Sequence, residues 1–248
     1  MAGAVGKYAE YLRGPWRFAL GGFIVPVSRL EELAEAASGE AIAEPWRLSV
    51  LEGDVRVAKE FNRAWAGRFA VDAIERKGVA GAIVEGMTVY CEIPVTGDLA
   101  GIVGGARAKV RTGGVTAEAF PSCEEMASFL NRAAERRVAF KATAGLHHPV
   151  RGEHALTYDE GSARAAMHGF LNVFVAAAFA WAGMGERVGE AMREEDSGAF
   201  AFKEDGVRWR DARLTTAQIA AARKEFAISF GSCSFEEPMD DLRKLKIL

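Results

Sequence analysis

The chain has 248 residues, half of them hydrophobic, and a formal net charge of -3. That is enough apolar material for one large core, and an α/β barrel commonly has about this length. The near-neutral charge and the lack of a basic block exclude nucleic acid as an electrostatically driven partner. No Pro/Ser-rich or low-complexity stretch resembles a linker, so a single domain over 1–248 is expected. The three cysteines, Cys91, Cys123 and Cys233, are widely spaced. Without a C-x-x-C pair they suggest neither a zinc knuckle nor a disulfide framework, and a reduced cytoplasmic compartment fits best. The opening MAGAVGKYAEYLRG lacks the apolar run of a signal peptide.

In chain order, 2–13 reads as an amphipathic helix ended by Gly14-Pro15, and RFALGGFIVPV (17–27) as a strand. Ser28 with Glu31 three residues on suggests a capping box for a helix closed by Gly39. WRLSVLE (46–52) is a strand, and Asp54 caps the helix after it. FAVDAIERK (69–77) is a third strand, and a short helix is expected around 79–86. TVYCEIPV (88–95) is the fourth strand, with a brief helix from Asp98 to about Gly105, and ARAKVRTGG (106–114) is the fifth. Pro121-Ser122 starts a helix to Arg137. VAFKATAGL (138–146) is the sixth strand, followed by a long loop over 147–162 and an apolar helix over 163–184. FAFKEDGVRW (200–209) suggests a hairpin at Asp205-Gly206. A helix over 215–226, a strand over 227–234 and a helical turn over 240–245 complete the chain. Met167 to Met184 is apolar but short for a membrane span of about 20 residues, so a buried helix is expected.

Strands alternating with helices predict parallel βαβ units. Seven strands are clear, and the 200–209 hairpin offers an eighth. The expected fold is therefore an α/β (β/α)8-type (TIM) barrel, complete or imperfect, with an open doubly wound sheet as the alternative. No G-x-G-x-x-G follows the first strand, so a dinucleotide site is unsupported.

All four histidines, His147, His148, His154 and His168, fall within one stretch. Strand alternation assigns Lys141 and Thr143 to the face opposite Phe140 and Ala142, and Lys109 and Arg111 to the face opposite Val110 and Thr112. In a barrel these cations would face the lumen, with Glu52, Glu75 and Glu92. Such groups are costly to bury unless they pair with one another or bind a charged ligand. Arg164, His168 and Asn172 share one stripe if 163–184 is helical.

Three chemistries follow. The run FKATAGL resembles the Schiff-base lysine strand of deoxyribose-phosphate-type class I aldolases. That resemblance implies that Lys141 is the amine nucleophile, with Lys109 or Arg111 as the neighbouring cation that favours the free amine. It covers about seven residues, and the family's later lysine strand with its phosphate loop is not evident. Ser232 and Ser234 in GSCS could still hold a phosphate. FKATAGLHHP and FGSCSFEEP also resemble an uncharacterised bacterial family, which carries no activity with it. The second chemistry is a divalent metal held by His147, His148, His154 and His168 with a glutamate, although the spacing matches no known signature. Adjacent histidines on an extended segment point opposite ways, so only one of His147 and His148 should enter the site. The third is acid–base catalysis by His147 or His148 with Glu92.

Cys233 has no sequence-local base and reads as a small core residue. The expectation is an enzyme of the lyase, aldolase or isomerase class acting on a small anionic substrate without a cofactor. Its catalytic residues would be Lys141, His147, His148 and Glu92. Substrate would be bound by Lys109, Arg111, Thr143, Arg151, His168, Asn172, Ser232 and Ser234. The rivals are a metal-dependent lyase or hydrolase and a non-catalytic anion-binding or partner-binding barrel. A membrane or nucleic-acid partner is not expected, and a homo-oligomer is compatible with the composition.

Overall fold

The computed structural model describes residues 1–79 and 84–248. The chain has an α/β fold and divides into two compact units, 1–92 with 103–106, and 93–102 with 107–248.

The first unit contains α1 (Ala2–Arg13), β1 (Phe23–Pro26), α2 (Leu30–Ala36), β2 (Trp46–Leu51), α3 (Val55–Ala64), β3 (Phe69–Lys77) and β4 (Thr88–Ile93). Its strands run parallel in the order β1-β2-β3-β4. The core gathers Leu30, Leu33, Trp46, Leu48, Val50, Phe61, Phe69 and Ile74, with Trp46 edge-on to both Tyr8 and Phe69. Asp54 caps α3 by accepting the Arg56 N–H at 2.8 Å, satisfying one of the donors a helix start leaves unpaired. The expected Ser28 cap does not form. A 3-10 turn over Val27–Arg29 precedes α2, which has no side-chain cap. The strand expected over 17–27 shortens to Phe23–Pro26 because Arg17–Ala19 winds into a 3-10 turn. Of the helix expected around 79–86, residues 80–83 lie outside the described residues, and 85–86 instead form a turn closed by an antiparallel bridge between Val84 and Met87.

The second unit contains β5 (Arg107–Arg111), α4 (Cys123–Glu135), β6 (Phe140–Thr143), β7 (Gly152–Ala155), β8 (Arg164–Met167), α5 (Phe170–Trp181), α6 (Val188–Arg193), β9 (Phe200–Lys203), β10 (Gly206–Trp209), β11 (Ala212–Thr215), α7 (Thr216–Glu225), β12 (Ala227–Gly231) and α8 (Glu236–Lys244). Its parallel strands run in the order β5-β6-β12. Capping boxes at Ser122/Glu125 and Thr215/Gln218 start α4 and α7. Phe129, Phe140, Phe226 and Trp181 form a continuous aromatic cluster beneath the strands.

Three expectations are corrected here. The 200–209 hairpin exists, but with β11 it forms a separate antiparallel sheet, β11-β10-β9, and supplies no eighth parallel strand. The segment from Asp98 is no helix. Asp98 Oδ1 accepts the Ala100 N–H at 2.9 Å, a local turn that competes with helix formation. The apolar helix starts at Phe170, not at 163, because Arg164–Met167 pairs with Gly152–Ala155 as an antiparallel hairpin and Gly169 is extended. Arg164, His168 and Asn172 therefore share no helical stripe. Among the described residues, no helix is long and apolar enough to cross a membrane.

Candidate active site

The site grows from the C-terminal ends of β6 and β12, adjacent parallel strands with Thr143 opposite Gly231. After β6 the chain turns through Ala144 and Gly145, with φ of 62° and 75°. A left-handed alanine costs about 1 kcal/mol. Thr112, fully buried, braces the turn by donating from Oγ1 to the Ala144 carbonyl at 2.5 Å. Gly113 and Gly145 must lack side chains, since a Cβ on either would run into the Phe120 ring at 2.3 and 2.8 Å. The turn buries Leu146 completely and delivers His147 and His148 to a bend.

That bend hangs on the start of α5. The N–H groups of Phe170 and Leu171 donate to the carbonyls of His148 and Pro149 at 3.0 and 2.8 Å, consuming donors that a helix start would otherwise leave unpaired. Asn172 secures the next residue, accepting the Arg151 N–H at 2.8 Å. Its amide donates to the carbonyls of Ala191 and Glu194, both at 2.8 Å. Gly169 permits this close approach, because a Cβ there would lie 2.4 Å from the Pro149 oxygen and from the Val150 Cα.

Opposite the bend stands α8. His147 Nδ1 lies 2.9 Å from Glu237 Oε2, and His148 Nδ1 lies 2.7 Å from Asp241 Oδ2. Consecutive histidines thus meet carboxylates one helical turn apart, and the expectation that only one would enter the site fails. It assumed an extended segment, and the chain bends at His148. In the neutral tautomer of His147 whose Nδ1–H donates to Glu237, Nε2 is the nitrogen that carries the lone pair. It faces the exposed Cys233 Sγ at 3.9 Å. Cys233 precedes α8 in a loop held by Ser234, whose Oγ accepts the Glu237 N–H at 3.1 Å. Ser232 Oγ accepts the Ser234 N–H at 3.3 Å. Tyr158, at the tip of the β7–β8 hairpin, donates to Glu237 Oε2 at 3.0 Å. Desolvation of the hydroxyl, then Glu237 and Cys233, push it up to about 12, so it remains a donor.

A second layer lies alongside. His154 stacks on His148 with ring centroids 3.5 Å apart. Burial, then the neighbouring His148 and Arg164, push His154 down to about 4. Two stacked imidazoles do not readily carry charge together, which adds to the burial that disfavours a charged His154. Burial would raise the Asp241 carboxyl, but hydrogen bonds from Lys244 and His148 outweigh it and hold the group below its usual value.

The other expected residues divide. Lys109 and Lys141 are cross-strand partners, as are Arg111 and Thr143. Lys109, Lys141 and Thr143 are buried, whereas Arg111 is exposed. His168 is apart from the other histidines and bonds through Nε2 to the Pro121 carbonyl at 2.7 Å. Burial lowers its pKa. Arg151 pairs with Glu195. Glu92 lies in the first unit on β4, in register with Lys77, and Glu52 pairs with Lys77 at 3.5 Å. Glu75 accepts from Ser49 at 2.6 Å. Among the described residues, no group of three or more His, Cys, Asp or Glu side chains could hold a metal ion. Sequence reasoning missed Tyr158, Glu237 and Asp241 and set Cys233 aside. The signal available was the i, i+4 spacing of Glu237 and Asp241 ahead of a basic helix end.

Comparison of the chain with family models, with curated proteins and with solved structures finds no match.

Proposed function

We propose that the second unit is a thiol-nucleophile enzyme of the acyl-transfer class, with Cys233 as nucleophile, His147 as base and Glu237 as its orienter. The observation that carries this reading is the ordered series Cys233 Sγ, His147 Nε2 at 3.9 Å, then His147 Nδ1 and Glu237 Oε2 at 2.9 Å. Nucleophile, base and orienting carboxylate in series are the general signature of covalent catalysis, and such contacts often tighten only with substrate bound. His147 takes the thiol proton as sulfur bonds to a carbonyl carbon. The carbonyl pair moves to oxygen. On collapse the leaving group departs with the proton held by His147, leaving a thioester. Water, deprotonated by the same imidazole, bonds to the thioester carbon, the C–S bond breaks to release the acid, and the imidazolium returns its proton to the sulfur. The fold-level part of the reading is an imperfect (β/α)8-type barrel, supported by seven parallel strands.

The test is active-site labelling. Iodoacetamide alkylation followed by peptide mass should mark Cys233 first, and an activated ester should leave an acyl adduct on it. Both should slow by about a hundredfold in His147→Ala. Equal rates in wild type and His147→Ala would refute the reading.

A second reading rests on Lys141, buried and in register with Lys109. A lysine placed beside another cation suits Schiff-base chemistry of the lyase or aldolase type on a small anionic substrate. Borohydride trapping against small oxo acids and sugar phosphates should then add mass at Lys141. No adduct with any of them removes this reading.

A further inference from the structure

The three parallel strands of the second unit separate their chemistry completely between faces. Arg107, Lys109 and Arg111 alternate along β5, and Lys141 and Thr143 stand beside Lys109 and Arg111 on β6. Ser229 and Gly231 of β12 continue the same rows beyond Lys141 and Thr143. Every charged residue of these strands is basic and lies on this face; none is acidic. The opposite face is apolar. Phe140 packs on Phe129 of α4, and Phe230 on Phe170 and Phe174 of α5. Lys109 and Lys141 are 8% and 4% exposed, although neighbouring strands hold their backbones only about 5 Å apart. Placing two buried ammonium groups side by side is unfavourable unless negative charge meets them. Each has a further interaction within the fold, and an anionic ligand would add negative charge beside both.

The rows lead to the thiol. Thr143 and Gly231 are the last residues of their strands, and His147 and Cys233 lie in the two segments that follow. In parallel α/β architectures, ligands bind at this end of the strands. Resting on the thiol-enzyme reading, we propose that Lys109, Lys141 and Arg111, with the Thr143 hydroxyl, bind an oxyanion of the substrate. The substrate class is a small acyl compound that carries a carboxylate or phosphate a few atoms from the carbonyl attacked by Cys233. The cations fix its orientation and take no part in bond making.

The experiment compares an anionic with a neutral alkylating agent. Rates of iodoacetate and iodoacetamide modification at Cys233 are read by peptide mass and expressed as a ratio, normalised to the ratio for free N-acetylcysteine. A cationic subsite should raise the normalised ratio about tenfold by local concentration of the anion. Lys141→Gln should return it to near one, and Lys141→Arg should retain most of it. In the wild-type protein, inorganic phosphate should lower the ratio if the subsite prefers phosphate, and acetate if it prefers carboxylate. A wild-type ratio equal to that of the free thiol, or one untouched by both Lys141→Gln and both anions, overturns the proposal. Trinitrobenzenesulfonate labelling of Lys141, with and without phosphate or acetate, tests the subsite without the thiol. Protection there with a His147-independent Cys233 would retain the anion site and remove only the thiol reading.

Discussion

Asn172→Ala tests how the candidate site is held together. The residue is fully buried and its amide is spent on three backbone groups: the Arg151 N–H and the carbonyls of Ala191 and Glu194. Ala191 lies in the last turn of α6, where carbonyls lose their helical partners, so the side chain serves as a cap for α6 and as a peg for the loop carrying His147 and His148. Truncation strands three buried polar groups. Each left unsatisfied costs about 1–3 kcal/mol. Water admitted to the vacated space recovers part of this, so a net loss of about 3–4 kcal/mol is expected. That is a large share of an ordinary domain's stability. Because the chain forms two compact units, an unfolding midpoint measures the loss but does not locate it. Hydrogen exchange read on peptides from 147–155 and 188–195 isolates the relevant part. The Arg151 amide should lose its protection, and Cys233 alkylation should lose its dependence on His147. Unchanged protection of that amide, with a stability change under about 1 kcal/mol, would refute the account of Asn172 as the structural peg.

Three further outcomes follow from the same geometry. Thr112→Val removes the donor that braces the left-handed Ala144 and should cost about 1–2 kcal/mol in urea unfolding; a neutral result would mean the turn is held by Phe120 packing alone. Gly169→Ala forces a methyl to within 2.4 Å of backbone atoms of Pro149 and Val150, and should cost about 2–3 kcal/mol while displacing the histidine bend, as thermal melts and labelling would show. His154 is pushed down to about 4 from 6.5, so the unfolded chain binds the extra proton between those values, and stability falls as pH drops from 6.5 to 4. The interval corresponds to roughly 3 kcal/mol, which solvent screening of a half-exposed ring reduces to about 1 kcal/mol. Urea midpoints at both ends of that range should show the loss in wild type and not in His154→Gln.

The parts of this arrangement that strand alternation controls were legible in the sequence. The face shared by Lys141 and Thr143, and its match with Lys109 and Arg111, follow from a period of two and an apolar opposite face. The gathering of His147 and His148 near one strand end was legible for the same reason, since they follow β6 directly. The partners were not. Cys233 is 86 residues from His147 along the chain, and only the pairing of β6 with β12 brings the two loops together. The Arg164–Met167 segment reads as helix because RAAM is rich in good helix formers. Its pairing with Gly152–Ala155 overrides that weak preference. His168 and Asn172 looked like ligand groups because they are polar within an apolar run. Burial instead commits them to backbone atoms, as buried polar groups generally are.

The division of labour among these polar groups places the weight of the site on α8. Thr112 and Asn172 are consumed in fixing the turn and the histidine bend, His168 is held through Nε2 at the α4 entry, and all three occupy the interior of the second unit. The groups with chemistry to spare lie at the edge. His147 and His148 retain about a fifth of their exposure, and Cys233 is exposed. The helix that orients both imidazoles buries only Pro238 and Met239 of its own residues. So little apolar burial makes the two histidine–carboxylate contacts a substantial part of what docks α8. The dependence is reciprocal, because the carboxylates set the tautomers of the histidines and the histidines fix the helix that presents the carboxylates. Weakening either contact therefore loosens the loop of Cys233 as well, and the nucleophile, its base and the orienting acid stand or fall as one unit.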